Sequence, residues 1–310
     1  MGRPRAPEGI AASTRRHGGG RVDLSRLGSV LVTRWGAATD VGPVRRDNED
    51  SWLASPPLYV VADGMGGHTG GALASSTAVR ALEERLSADS LGGRRADLAD
   101  LAAAVEAAAS AVAGLADPQD PLVAPGTTLT GAMALDTAEG PFWLTLNIGD
   151  SRTYLVAGGA IVQLTRDHSA AQEARELAEA TGQEIAFPAS NVVTRALGAG
   201  MTGIPEADYA LVPLCEGDCA VICSDGVHGV VDDEQILAIV EAGEDPQRIA
   251  NDLVDAAIAS GTRDNATAVV VRAVTASGAG GVDARSRSVQ PVRPAPTQTV
   301  RRAPRNEEGD

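Results

Sequence analysis

The chain has 310 residues, 44% hydrophobic and 22% charged, with a formal net charge of −15, which allows one large core or two modest ones. So acidic a chain repels nucleic acid and anionic membrane surfaces and suits a protein that gathers cations, although acidic surfaces kept for solubility account for the charge equally well. Its longest apolar runs are too short to span a bilayer, and no apolar segment follows the charged N-terminus as in a signal peptide, so a cytoplasmic protein with no membrane span is expected.

The charge is uneven. Residues 1–29 carry six Arg against Glu8 and Asp23, and residues 275–310 carry six Arg against four acids. Both stretches are rich in Arg, Gly, Ser or Pro and lack apolar periodicity, so they are expected to be disordered tails around one folded domain at 30–274. All 26 basic residues are arginine, which reads as a GC-rich coding bias. Cys215, Cys219 and Cys223 are odd in number and have no neighbouring His or fourth Cys to complete a zinc set. Cys219 and Cys223 share one face of a strand-like run and read as small buried residues in a reducing compartment.

Along the chain, "LYVVAD" (58–63) is the first clear strand. Residues 71–88 place Ala78, Leu82 and Leu86 at four-residue spacing, and residues 96–116 place Leu98, Leu101, Val105, Val112 and Leu115 near a 3.6 period, so two helices follow. "TLTGAMAL" turns Leu129, Met133 and Leu135 to one side, and "FWLTLNI" does the same with Phe142, Leu144, Leu146 and Ile148. "YLVAGGAIVQL" predicts a hairpin turning at Gly158-Gly159. A helix is expected over 168–181, then strands at "YALVPL" (209–214) and "CAVICSD" (219–225). Asp232 and Gln235 form a capping-box pattern ahead of Ile236, Ile239 and Val240. Asp245-Pro246 opens a further helix that ends by Gly261, and "ATAVVVR" (266–272) is the last strand. Hairpin-linked strands interrupted by helix pairs predict antiparallel sheets packed on each other with helices on the outer faces.

Acids recur at the ends of these strands: Glu49 and Asp50 in "RRDNEDS", Asp63 in "VVADGMGG", Asp150 in "LNIGDSR", Asp225 in "VICSDGV" and Asp264 in "GTRDNATAVVV". Each alone is most simply a turn residue. The glycines after Asp63 have neither dinucleotide-binding nor P-loop spacing. Carboxylates delivered by several strands to one place need a counter-charge, and an all-oxygen donor set favours Mg²⁺ or Mn²⁺ over zinc. Glycine at 64 leaves its backbone open to close approach beside Asp63.

The ordered segments "RRDNED" (45–50), "VVADGMGGHTGG" (60–71), "GTTLTGAM" (126–133), "NIGDSRTYL" (147–155), "LTRDHS" (164–169), "VVTRALG" (192–198), "VICSDGV" (221–227) and "TRDNATAVVV" (262–271) resemble the bacterial form of the PPM, or protein phosphatase 2C, metal-dependent serine/threonine phosphatases. The resemblance runs from about Trp35 to Arg272 and leaves out the tails. It implies an α+β fold, a four-layer αββα sandwich of two antiparallel sheets flanked by helix pairs. It also implies hydrolysis of phosphoserine and phosphothreonine in proteins by a hydroxide bridging two Mn²⁺ or Mg²⁺ ions. Carried over, Asp63 bridges both ions, Asp225 and Asp264 hold the first, and the Gly64 carbonyl helps hold the second. Glu49, and Asp50 through water, complete the shell, while Asp150 with Asp225 forms a third, weaker site. Arg45 is the phosphate-binding residue, its planar fork matching two phosphate oxygens.

Met65 stands where many eukaryotic members place a histidine proposed as general acid. It cannot donate a proton, which leaves His68 or a metal-bound water for that role. Residues 168–191 correspond to a flap beside the cleft, and "TGQEIAFPASN" within it is altered relative to bacterial members, which bears on substrate selection. The implied partners are phosphorylated proteins, including a Ser/Thr protein kinase and its substrates, acted on by a monomer. The competing readings are a catalytically weak or dead phosphatase-fold regulatory module, and a partner-switching phosphatase, which would ordinarily carry sensory domains. A metal-dependent nuclease is disfavoured by the acidic body.

Overall fold

The computed structural model describes residues 16–24, 29–66, 70–87, 89–117, 124–137, 140–182, 192–201, 203–276 and 284–294. Two six-stranded antiparallel sheets pack face to face. The first has the spatial order β1 (Arg16–Leu24), β2 (Ser29–Asp40), β14 (Ala266–Ala276), β13 (Cys219–Cys223), β9 (Arg152–Ala157), β10 (Ala160–Gln163). The second runs β15 (Gln290–Val292), β12 (Asp208–Pro213), β8 (Gly140–Ile148), β7 (Leu129–Thr137), β4 (Leu58–Ala62), β3 (Ser51–Ser55). A small third sheet joins β11 (Leu197–Gly198), β6 (Gly126–Thr127) and β5 (Gly64–Met65). The helices are α1 (Gly70–Arg85), α2 (Leu98–Ala113), α3 (Ala170–Thr181), the single turn α4 (Asp225–His228), α5 (Asp233–Ala242) and α6 (Pro246–Ala259).

Strand alternation sorts the apolar residues into three layers. Val60, Leu144, Leu146 and Ile148 face α1 and α2 and pack with Ala78, Leu82, Leu101 and Val105. Their neighbours Val61 and Trp143 face the other way and meet Leu155, Ile222, Val269 and Val271 of the first sheet. The outer side of that sheet, with Val221, Cys223 and Val270, is covered by Ile236, Ile249 and Leu253 of α5 and α6. The order helices, sheet, sheet, helices is the expected four-layer sandwich. The local signals act where they stand: Asp232 and Gln235 form the reciprocal capping box of α5, Pro246 opens α6, and Gly158 and Gly159, both at positive φ, turn the β9–β10 hairpin. All three cysteines are free and buried.

The register gathers the acids at one end. Ser51 pairs with Ala62 and Val61 with Thr130, so the start of β3, the end of β4 and the start of β7 lie together. Leu129 pairs with Ile148, which adds the end of β8. Cys223 pairs with both Ala268 and Arg152, which brings the end of β13 to the start of β14. Glu49, Asp50, Asp63, Asp150, Asp225 and Asp264 adjoin these strand ends.

Both segments expected to be disordered depart in part from that expectation. β1 lies within residues 1–29 and pairs along the full length of its ladder with β2. β15 lies within 275–310 and pairs with β12. Each occupies the edge of a sheet, where unpaired backbone groups accept another strand whatever its side chains, so neither needed the apolar alternation that a composition reading looks for. The C-terminal piece is also anchored through a side chain. Arg287 donates from Nη1 and Nη2 to both carboxylate oxygens of Asp218, at 2.5 and 2.7 Å, and from Nη1 to the Pro213 carbonyl. The two side chains are 3% and 1% exposed, and this burial makes the pair matter: removing one partner strands a charge in the core. Arg287→Ala is therefore expected to lower unfolding free energy by about 3–5 kcal/mol in denaturant titration, and truncation after Ala276 to do at least as much. Unchanged stability in both would show that β15 and its anchor are not part of the cooperative fold.

Candidate metal centre

The acids are set on backbone that is pinned by neutral polar groups. The Asp63 amide donates to Thr128 Oγ1 at 3.0 Å, while the Asp63 carbonyl accepts from Thr127 Oγ1 and the Thr128 amide, both at 2.9 Å. Asn265 staples the 41–49 loop: its Oδ1 accepts from the Glu49 amide at 2.8 Å and its Nδ2 donates to the carbonyls of Val41 and Asp47. Ser75 Oγ donates to the Glu49 carbonyl at 2.6 Å. The Asp50 amide donates to Asn48 Oδ1, and Ser224 Oγ donates to Asp50 Oδ2 at 2.8 Å while accepting from the Thr267 amide. The Asp150 carbonyl accepts from His228 Nε2 at 2.9 Å. His228 is held neutral by burial, its pKa brought down to about 4.

This scaffold leaves carboxylate oxygens without partners. Glu49 Oε1, Asp50 Oδ1 and Asp225 Oδ1 are buried and accept no hydrogen bond. Buried acceptors are normally paired, so three orphans in one cluster need an outside partner. The electrostatics agree. Burial, reinforced by the neighbouring carboxylates, pushes Asp63 well above the usual range and raises Asp225. Asp50 and Asp150 are pushed up to about 7 by the same causes. Gly64 leaves no room for a side chain, since a Cβ there would lie 2.2 Å from the Gly71 carbonyl oxygen and 2.5 Å from that of Glu49. The donor set is all oxygen, crowded and short of positive charge, and it fits hard divalent cations. Among the described residues no three His, Cys, Asp or Glu side chains lie close enough together to enclose a single ion; one oxygen of Asp264 is taken up by Arg45 in this arrangement.

Arg45 is half exposed at the rim and donates from Nη2 to Asp264 Oδ2 at 2.5 Å. It borders an open cleft of about 470 Å³ whose lining includes Asp225, Val230, Thr262, Arg263 and Asp264. The fold thus brings together all the acids singled out in the sequence, with Arg45 at their edge. Met65 lies in β5. His68 lies outside the described residues, as do 183–191 of the expected flap. Sequence reasoning passed over Asn265, Ser224, Thr128 and His228, which position the acids. Asn265 and Ser224 adjoin Asp264 and Asp225, so adjacency to a strand-end acid was the available signal.

Comparison with known proteins identifies the family. Residues 43–266 match the family profile described as protein phosphatase 2C. The serine/threonine protein phosphatase PstP of Mycobacterium tuberculosis is 37% identical over 246 residues, which is 79% of this chain and 46% of PstP, so the chain spans about half the length of that relative. The serine/threonine phosphatase stp of Listeria monocytogenes is 30% identical over 240 residues, 75% of this chain and 93% of that protein. The crystal structure of the PstP catalytic domain in complex with two manganese ions superposes with a TM-score of 0.65 at 33% identity, covering 79% of this chain and 100% of that one. The chain belongs to the protein phosphatase 2C family.

Carboxyls raised toward 7 take up protons between pH 8 and 6.5, whereas unfolded carboxyls, near 4, do not. Acidification over that interval therefore favours the native state, and this stability is lost as pH rises through 7. His228 opposes this in part, because it is about half protonated at pH 6.5 when unfolded and neutral when buried, but several raised carboxyls outweigh one histidine. The chelator-treated protein is expected to melt about 3 °C higher at pH 6.5 than at pH 8 for each carboxyl protonated. Mn²⁺ should raise the melting temperature more at pH 8 than at pH 6.5. A melting temperature that falls on acidification over this interval would contradict the crowding of these acids.

Proposed function

We propose that this member of the protein phosphatase 2C family hydrolyses phosphoserine and phosphothreonine in proteins with the help of divalent cations, Mn²⁺ or Mg²⁺, held by its strand-end acids. The observation that carries the reading is the set of three buried, unpartnered carboxylate oxygens on Glu49, Asp50 and Asp225 beside an arginine-rimmed cleft. Asp63 is proposed to bridge two ions, with Asp225 and Asp264 on the first and the Gly64 carbonyl on the second. Glu49, and Asp50 through water, take the outer positions, and Asp150 with Asp225 takes a third ion. Asp63, Asp225 and Asp264 are all present, which speaks against a catalytically dead regulatory module.

When bound, such ions supply an activated water and neutralise charge on the phosphoryl group. The chain's own part is to aim and to bind. Thr127 and Thr128 fix the backbone on either side of Asp63, and Asn265 fixes the loop that carries Glu49, so the acids keep their positions whether or not charge is balanced among them. Arg45 binds the substrate phosphate. It is already charge-paired with Asp264 through a single carboxylate oxygen, and a substrate phosphate offers its fork two oxygens instead of one. Cys223 takes no part, since burial pushes its thiol up to about 12. The physiological partners are proposed to be phosphorylated proteins, including a Ser/Thr kinase and its substrates, met in the cytoplasm by a monomer. Among the described residues no helix is long and apolar enough to cross a membrane.

The purified protein is expected to dephosphorylate phosphothreonine peptides and an aryl phosphate with Mn²⁺, and to stop in excess chelator. Asp63→Ala should abolish turnover together with calorimetric binding of the tightest ions. Arg45→Ala should lower kcat/KM by about 10–100-fold, the equivalent of one charge-assisted contact, with Mn²⁺ binding intact. Turnover undiminished by chelator would overturn the proposal, and normal Mn²⁺ binding in Asp63→Ala would overturn the bridging role.

A further inference from the structure

The segment "LTRDHS" (164–169) touches the candidate centre through no side chain assigned above, yet every polar side chain in it is engaged. Thr165 Oγ1 accepts from the Thr153 amide. Arg166 pairs with Glu176 of α3, and Asp167 accepts from Arg152 and Gln163. Ser169 caps α3, its side chain accepting from the Gln172 amide. His168 is fully buried and makes the most consequential contacts.

Its ring Nδ1 accepts from the Gly149 amide at 3.1 Å, and its own amide donates to the Gly149 carbonyl at 2.8 Å. With Nδ1 an acceptor, the ring proton of the neutral imidazole sits on Nε2, which donates to Asp208 Oδ2 at 3.0 Å. Asp208 is held in turn by Arg195, whose Nη1 donates to Oδ1 at 3.1 Å. Gly149 is the residue before Asp150 and cannot anchor itself. Its φ of +107° is a glycine conformation, and a Cβ would lie 2.6 Å from the Thr128 side chain. The turn is therefore held from outside: Gly149 by His168, helped by Asn147 Nδ2 on the same carbonyl at 3.0 Å, and the Asp150 carbonyl by His228. The His168 carbonyl also accepts from the Thr194 amide, and Ser169 bridges to Val193. This junction thus supports both the acid-bearing turn and the segment that leads into β11 of the small sheet.

We propose that His168 is a positioning residue for Asp150: it locks the Gly149–Asp150 turn so that the Asp150 carboxylate can hold a cation, and Asp208 with Arg195 locks the ring. This rests on reading Asp150 as a cation ligand. Any buried histidine must pair both ring nitrogens; what marks this one is that the partner of Nδ1 is the amide of the turn that carries Asp150. Orientation of a ligand by such outer partners typically changes metal affinity by about 10–100-fold.

The test is calorimetric titration of the full chain with Mn²⁺ alone. Asp150→Asn is expected to abolish the weakest class of Mn²⁺ binding. His168→Gln, whose amide reaches the Nε2 position but not the Nδ1 position, should weaken that class about tenfold or more and spare the tighter ions. His168→Asn, whose Oδ1 can replace Nδ1 as acceptor for Gly149, should return affinity to within about threefold of the parent. Asp208→Ala, at a side chain 43% exposed and so not dependent on core repacking, should weaken the same class alone, and it decides the matter if the His168 variants do not fold. Loss of the weak class in Asp150→Asn, with His168→Gln and Asp208→Ala both binding like the parent, would overturn the proposal. So would an equal weakening of every class in His168→Gln. A weak class that survives Asp150→Asn would instead remove the cation from Asp150, and the proposal with it.

Discussion

Mutual repulsion among buried carboxylates is the constraint from which the rest of this structure follows. Glu49, Asp50, Asp63, Asp150, Asp225 and Asp264 come from five places in the chain, and only strand pairing at one end of the sandwich keeps them together. Among the described residues Arg45 at the rim, on Asp264, is the one cation paired with these carboxylates, and Ser224 on Asp50 and the Asn265 amide on Asp264 add only neutral hydrogen bonds. The backbone does the holding instead. Thr127, Thr128, Asn265, Ser75 and His228 bind amides and carbonyls rather than the reactive oxygens. Such a device fixes position without neutralising charge, and it leaves the carboxylates available to a cation.

The stability this site forgoes comes from the layers behind it. Residues along the bodies of these strands are almost completely buried: Val61 and Trp143 lie between the sheets, Leu146 and Ile148 under α1 and α2, Val221 and Val270 under α5 and α6. A sandwich closed by helices on both outer faces loses little when its strands end in a destabilising cluster, because the cluster touches only their tips. Catalytic sites built of like charges need this kind of support, and strain stored at a site is offset elsewhere in the fold.

Much of this was legible in the sequence because the signals were local. Gly158-Gly159, the Asp232–Gln235 box and Asp245-Pro246 mark element boundaries through backbone geometry that acts within a few residues. The strand-end acids were visible as a recurring pattern, and their convergence followed once a family likeness supplied the topology. Two kinds of feature were not legible. β1 and β15 join sheet edges through main-chain pairing, which leaves no periodic trace, and Arg287 finds Asp218 across 69 residues, which no local pattern encodes. The supporting polar residues were hidden for a different reason. His168, Ser224 and Asn265 read as ordinary loop or strand-end residues until the contacts they make with distant backbone are known.

That division bears on how such a site can vary. A carboxylate that holds a cation is constrained in identity, while the groups that aim it are constrained in where they put one donor or acceptor. Thr128 serves through a hydroxyl shared with the Asp63 amide and Ser151, and His168 serves through a ring nitrogen set by Asp208. In "LTRDHS" the contacts run in both directions: Asp167 and His168 reach toward the strands that carry Asp150, and Arg166 and Ser169 toward α3. The helix α3 can therefore change its outward face, as the exposed Leu177 permits, while the junction at its start keeps the Gly149–Asp150 turn in register. The surface of α3 can then drift without disturbing the geometry of the acid-bearing turn.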